Sequence, residues 1–303
     1  MAGPAEASSG GPSPLAPGLY LVATPIGNAG DLSPRAADAL CRAHVVMAED
    51  TRRAGLFFRR QGLERAEGRK GFLSLHEHNE AGRIPQVMEL IQAGESVALI
   101  SDAGTPVLSD PGYRLVRACR QAGLPVTSLP GPFAPAVALS ASGLPPAPFT
   151  FLGFLPRQKG QAQKLLARHA ATGASLVFFE RKDRLAETLA LAAGVLGDRE
   201  FAVCRELTKQ YEEFILGRLG ALAAAPLDVL GEVTVVIGPE ALGQGARGTA
   251  GADADPGALL DAVLAEEKTR GGKPREVARR VAERLAGTVP GLTVKDVYDL
   301  LKR

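Results

Sequence analysis

Four clusters of polar residues stand out because each directly follows a short apolar run. Glu49-Asp50-Thr51-Arg52-Arg53 packs acid, hydroxyl and base together. Asp50 or Thr51 suits the N-cap of a following helix. The alternative is substrate contact, with Arg52 or Arg53 on a phosphate and Asp50 on a hydroxyl. His76-Glu77-His78-Asn79-Glu80 invites a metal reading. Side chains at i and i+2 diverge on a helix, however, and no further His or Cys lies at ligand spacing, so polar substrate contact is expected and no metal. Ser101-Asp102-Ala103-Gly104-Thr105-Pro106, continuing to a second Asp-Pro-Gly at 110–112, reads as an irregular pocket wall with an acid and no lysine. A carboxylate beside open backbone suits an uncharged or cationic ligand, one with an amino group and a ribose. Arg205-Glu206-Leu207-Thr208-Lys209 closes the set. The loop at 24–31 has no GxGxxG or GxxxxGK[ST] phosphate pattern, and neither a GxSxG elbow nor a Cys/His pair points to a nucleophile.

These clusters need elements to hold them. Apolar runs at 19–23, 43–47, 72–75, 97–100 and 126–129 alternate with helical stretches at 34–42, 80–92 and 113–121. Continuous apolar strands separated by helices predict a parallel sheet covered on both faces, whose ligands bind beyond the carboxyl ends of the strands. The loop at 24–31 holds glycines, with Ser33 capping the next helix and Pro34 at its first position. The loop at 129–134, Leu-Pro-Gly-Pro-Phe-Ala, precedes another helix. The proline-rich hinge at 143–148 ends this first α/β domain, placed at 18–145. Strands at 149–154, 176–179, 201–205, 211–216 and 233–237 and helices at 161–169 and 184–195 define a second, at 146–240, with part of its sheet antiparallel because two strands are joined by a short turn.

Residues 1–17, rich in Pro, Gly, Ser and Ala, read as a disordered tail, and 241–257 as a small-residue linker. Residues 258–303 read as a helical basic tail. There Val277, Ala278, Val281, Ala282 and Leu285 recur at helical spacing, and seven basic residues face two acidic ones between 268 and 284. Clustered cations such as Lys273, Arg275 and Arg279 suit phosphate contact, although a solvated helix face has the same composition. The whole chain, 303 residues with 35 basic and 33 acidic, has no net charge that would itself draw nucleic acid, so a local patch must do so. Cys41, Cys119 and Cys204 lie far apart, which fits a reducing cytoplasm rather than a disulfide scaffold. The longest charge-free run, 121–156, contains eight prolines and is not expected to cross a membrane.

Taken in order, TPIGN at 24–28, AEDTR at 48–52, HEHNE at 76–80, SDAGTP at 101–106, DPG at 110–112, LPGP at 129–132, GFLP at 153–156 and RELTK at 205–209 resemble the bacterial ribosomal RNA small subunit methyltransferase I family, a branch of the tetrapyrrole-methylase-like methyltransferases. The resemblance runs from about residue 18 to the end. It implies a fold of two α/β domains with the cofactor cleft between them, plus the C-terminal helical tail. It implies S-adenosyl-L-methionine as cofactor and methylation of a ribose 2′-hydroxyl on a cytidine in the decoding region of 16S ribosomal RNA, free or in the 30S particle. It also implies a homodimer. By motif, the cofactor pocket takes Pro25, Ile100, Ser101, Asp102, Thr105, Phe133, Ala134, Phe179 and Leu207. Three places depart from the family pattern: Phe133 stands where a small residue is usual, Arg181-Lys182-Asp183 replaces small-Pro-His, and Leu230 stands where lysine is frequent.

Methyl transfer to oxygen is an in-line displacement, so orientation and a dry pocket supply most of the catalysis, and a general base adds about 10²- to 10⁴-fold. Asp50, His76, Glu206 and Lys209 are the candidate bases, with Glu206, supported by Lys209, favoured. Arg52, Arg53, His78 and Asn79, with Lys273, Arg275 and Arg279, are the expected RNA contacts. A same-fold methyltransferase acting on a small molecule or a protein is the alternative; the basic tail and the EDTR and HEHNE segments argue against it.

Overall fold

The computed structural model describes residues 15–222, 229–240, 256–285 and 292–302. The chain forms two compact units, Met1–Glu240 and Ala241–Arg303. The first begins with strand β1 (Gly18–Val22), helix α1 (Pro34–Arg42), β2 (Val45–Ala48) and α2 (Thr51–Gln61). It continues through β3 (Phe72–Ser74), α3 (Glu80–Gln92), β4 (Ser96–Leu99), α4 (Tyr113–Gln121) and β5 (Val126–Leu129). The five strands form one parallel sheet in the order β3-β2-β4-β1-β5.

The apolar strands explain this arrangement. Leu19, Val45, Met47, Val97 and Leu99 pack against α3 and α4 on one face. Val22, Val46, Ala48, Ala98 and Ile100 pack against α1 and α2 on the other. Successive side chains of a strand point to opposite faces, so strands buried on both sides must be apolar throughout. Each fully buried aliphatic side chain contributes about 1.5–3 kcal/mol. The chain leaves β1 in one direction, toward β2, and leaves β4 in the other, toward β5. The crevice between the carboxyl ends of β1 and β4 is therefore the switch point where such sheets bind ligands.

Helix α5 (Ala134–Ala141) carries the chain to a second sheet. Its elements are β6 (Phe149–Phe154), α6 (Lys159–His169), β7 (Ser175–Arg181), α7 (Lys182–Leu196), β8 (Glu200–Arg205), β9 (Glu213–Arg218) and β10 (Glu232–Ile237). The strand order is β6-β7-β10-β8-β9, with β6 parallel to β7 and the remaining pairs antiparallel. Alternation divides its side chains. Phe178, Phe201 and Val203 face α6 and α7, whereas Val177, Ala202 and Cys204 face α5. Ile26, from the loop after β1, packs into that α5 cluster, so the two sheets share apolar contacts.

The second unit consists of α8 (Pro256–Thr269), α9 (Pro274–Leu285) and α10 (Val294–Leu301). Its core includes Val277, Ala278, Val281, Ala282 and Leu285, the five positions that recur at helical spacing, together with Val263 and Val297. Most of the segment read as a linker, 241–255, and residues 1–14 of the segment read as a tail lie outside the described residues. Leu15 packs against the first sheet's core. Among the described residues no helix is long and apolar enough to cross a membrane.

Candidate active site

Two adjoining cavities open at the carboxyl edge of the first sheet, where the second sheet meets it. The larger holds about 600 Å³ and the smaller about 450 Å³, both within the usual range for small-molecule sites. Both are bordered by Ile26, Asp102, Ala103 and Glu232. Of the expected cofactor residues, Asp102, Thr105, Phe133, Ala134, Phe179 and Leu207 line the larger cavity, and Pro25, Ile100, Ser101 and again Asp102 line the smaller.

Loop-to-loop contacts build this wall. The loops after β1 and β4 are joined by a two-residue bridge, with Thr24 and Gly104 exchanging backbone hydrogen bonds at 2.9 Å. The Thr24 hydroxyl donates to the Ser101 carbonyl at 3.3 Å, and the Thr105 hydroxyl to the Pro132 carbonyl at 2.9 Å. Across the cleft, the Asn28 N–H donates to the Thr208 hydroxyl at 3.0 Å. A Cβ on Gly27 would lie 2.4 Å from Lys209 Cγ, so only glycine permits this approach. The TPIGN and RELTK segments, about 180 residues apart in the chain, thus interlock.

Among the described residues, four non-glycine residues have left-handed backbone: Val107, Ser109, Glu206 and Thr208, with φ of 77°, 73°, 51° and 65°. All four lie in the loops after β4 and β8 that border the cleft. Such conformations carry about 1–3 kcal/mol of strain each and concentrate at functional sites.

The charged groups divide between roles. Asp50 caps α2, accepting from the N–H groups of Arg52 and Arg53 at 2.8 and 3.4 Å, and its carboxylate also pairs with the Arg52 guanidinium. That guanidinium, followed by the backbone donors, lowers the Asp50 pKa to about 2. Glu206 lines neither cavity; its Oε1 accepts from the Glu232 N–H at 3.0 Å and from Lys209 Nζ at 3.2 Å. The backbone donor of Glu232 and then Lys209 hold its pKa below the ordinary value. A Cβ on Gly231 would lie 2.3 Å from Glu206 Oε1, so glycine makes room for this clamp. Burial works against the charge on Lys209, but ion pairs with Glu232 and Glu206 outweigh it and raise the pKa. Lys209 borders the smaller cavity as a held cation.

His76 borders neither cavity, and its Nδ1 is buried without a hydrogen-bond partner. Asn79 accepts from the His76 N–H at 2.8 Å and donates to Ser74, and so folds its own turn. His78 is exposed beside it. Buried Glu80 accepts from the N–H groups of Arg114 and Leu115, and so caps α4, whose own N-cap Gly112 has no side chain to do so. Arg53 lines the smaller cavity and pairs with Asp102; Arg52 is 88% exposed.

In the second unit Arg270, Arg280 and Arg284 converge on buried Glu267. The basic stretch is therefore partly spent on its own fold. Arg275 lies over the Tyr298 ring, 5.8 Å from its centre, Lys273 is exposed, and Arg279 faces Glu283 at 3.8 Å.

Four carboxylates of the larger cavity have no role assigned from sequence: Asp110, Glu180, Asp183 and Glu232. At Asp110 burial, followed by the charges of Glu49 and Asp102, raises the pKa from 3.8 to about 6. Arg60 and Phe57 of the smaller cavity were also unassigned. Their signal was present in the recurrence of Arg53, Leu56, Phe57 and Arg60 along one face of α2. Among the described residues no group of three or more His, Cys, Asp or Glu is placed to hold a metal ion.

Residues 18–223 match the family model of the tetrapyrrole (corrin/porphyrin) methylases. A relative from Mesorhizobium japonicum, the ribosomal RNA small subunit methyltransferase I, is 43% identical over 89% of this chain and 93% of its own. The chain belongs to the ribosomal RNA small subunit methyltransferase I family. It is a methyltransferase, and its fold is that of the tetrapyrrole methylases. The methyltransferase CobJ superposes with a TM-score of 0.56 at 19% identity, covering 74% of this chain and 94% of its own. A uroporphyrin-III C-methyl transferase from Thermus thermophilus, complexed with S-adenyl homocysteine, gives 0.51 at 20% identity over 73% and 96%. These solved structures cover about three-quarters of the chain. The Mesorhizobium relative matches further than that fold, across about nine-tenths of both chains.

Proposed function

We propose that this protein transfers a methyl group from S-adenosyl-L-methionine to the ribose 2′-hydroxyl of a cytidine in the decoding region of 16S ribosomal RNA, in the cytoplasm and as a homodimer. The observation that carries the reading is the larger cavity, whose residue types suit the donor. Asp102 and Asp110 offer carboxylates to a cationic ligand and to ribose hydroxyls, and Phe133, Phe154 and Phe179 offer ring faces to a planar base. Gly104, with φ of 82°, leaves backbone open where a Cβ would meet Ile26 at 3.3 Å. The bound donor supplies an electrophilic methyl on a sulfonium, and oxygen attack on it needs alignment rather than metal or covalent chemistry. The chain's residues hold donor and acceptor in line, and the aromatic wall excludes water.

The relatives' name and the spare cations of the second unit support ribosomal RNA as the acceptor. The homodimer rests on the family resemblance, and sedimentation velocity decides it. For the reaction itself, purified protein is incubated with labelled donor and either naked 16S RNA or 30S particles, and the digested RNA is analysed by mass spectrometry. A 2′-O-methylcytidine is expected. Label on a nucleobase, or on neither substrate, overturns the reading.

A further inference from the structure

The two cavities carry opposite charge, and this assigns them. The larger is bordered by five carboxylates, Asp102, Asp110, Glu180, Asp183 and Glu232, against two cations. The smaller is bordered by three cations, Arg53, Arg60 and Lys209, against two carboxylates. A donor with a sulfonium and an ammonium is cationic, so it is favoured in the first; a nucleotide of an RNA chain is anionic, so it is favoured in the second. On this assignment Pro25, Ile100 and Ser101, expected by motif to hold the donor, border the acceptor side of the wall instead.

We propose that the smaller cavity, along α2, seats the acceptor nucleotide, with Arg60 on its phosphate and Phe57 and Leu56 against its ring. This rests on the functional reading above and adds to it where the RNA enters.

Several observations support the assignment. One helical face lines the cavity, because residues 53, 56, 57 and 60 recur at helical spacing. Phe57 offers the aromatic face that bases stack on, and Leu56, 44% exposed, adds an apolar side chain beside the cations. Arg53 and Lys209 already pair with carboxylates, whereas Arg60 has no ion-pair partner among the described residues and is free to meet a phosphate. Asp102 and Ala103 border both cavities, so a ribose hydroxyl presented from the α2 side and a methyl presented from the other meet at that wall.

The test uses the full chain, a fluorescent RNA oligonucleotide of decoding-region sequence, and S-adenosyl-L-methionine. Arg60→Ala should weaken RNA binding about tenfold and lower the slope of log affinity against log salt by about one. Donor affinity by calorimetry should stay within twofold, and Arg60→Lys should restore the salt slope. Arg60 is exposed, and an unchanged Tm would show that the variant folds. Unchanged RNA affinity and slope in Arg60→Ala, or a loss of donor affinity in their place, overturns the assignment. A wild-type protein that methylates no RNA overturns the functional reading and this assignment together. An active wild type with an unaffected Arg60→Ala overturns this assignment alone.

Discussion

The parallel sheet of residues 18–129 sends its loops and helix α2 to the cleft from one edge, and they bring Arg53, Asp102 and Asp110 to it. The mixed sheet of residues 149–237 meets them with strand ends that carry rings and braces: Phe154 and Phe179 against the larger cavity, and Glu206, Lys209 and Gly231 holding the loops together. The difference has a topological origin. In a parallel sheet every strand ends on the same side, so polar loop residues from distant parts of the chain converge. In the mixed sheet β10 runs against β7 and β8, so its first residues lie beside their last ones and tie them down. Both sheets charge the cleft, the first through Asp102 and Asp110 and the second through Glu180, Asp183 and Glu232, and the second also braces the loops.

If that division holds, altering the first sheet's loop should remove binding and leave the fold. Asp102→Ala should weaken S-adenosyl-L-methionine affinity by about 10- to 100-fold, since a hydrogen bond to a charged group is worth about 1.5–3 kcal/mol. The thermal midpoint should fall by no more than about 3 °C, because the pair it forms with Arg53 is partly exposed. Wild-type affinity by titration calorimetry would remove Asp102 from the donor site.

On the bracing side, Glu206→Ala leaves the Glu232 N–H without its acceptor and should lose about 1–2 kcal/mol of stability. Glu206→Gln keeps an acceptor for that N–H and should retain most of both stability and turnover. A Gln variant as inactive as the Ala variant, yet fully folded by denaturant titration, would show that Glu206 takes the substrate proton, the role favoured for it from sequence.

A third effect depends on pH. The folded pKa of Asp110, about 6, lies above its ordinary 3.8, so the native state holds this proton more tightly than the unfolded chain does. Its contribution to stability is complete below about pH 4 and is lost as pH rises through 6. Asp110→Asn should therefore be more stable than wild type at pH 7.5 by about 1–2 kcal/mol, and the gap should close near pH 4. Parallel melting curves from pH 4 to 8 check the sign; a gap that does not change with pH would place Asp110 in water.

Much of the fold was legible because local chemistry agreed with it. The helices at 34–42, 80–92 and 113–121 end where the sequence pattern places them. Ser33 and Pro34 start α1 as their types require, and the apolar stripe of α9 is the core of its unit. Helix α2 went unnamed as a helix, because its start was readable in Asp50 and Thr51 whereas its body mixes Arg and Phe around Gly55. The site was legible only in part. HEHNE resembles a ligand set, yet Asn79 folds its own turn and Glu80 caps a helix more than thirty residues on. A cap across that distance leaves no local pattern. Asp110 stands in the same loop as Asp102, but nothing near it in sequence shows that Glu49, just past the end of β2, would also lie beside it.

The sequence by itself determined the strand and helix alternation, the loops that hold the polar clusters, and the family to which those clusters belong. These depend on residue type and spacing over a few turns of chain. Only the tertiary structure decided which of the polar residues are bound up in the fold and which face a cavity. It paired Arg53 with Asp102, closed Gly27 against Lys209, turned Glu206 toward Glu232 and left Arg60 without an ion-pair partner among the described residues. The physical reason is that a side chain's charge state and availability depend on neighbours in space, and here those neighbours come from strands far apart in the chain.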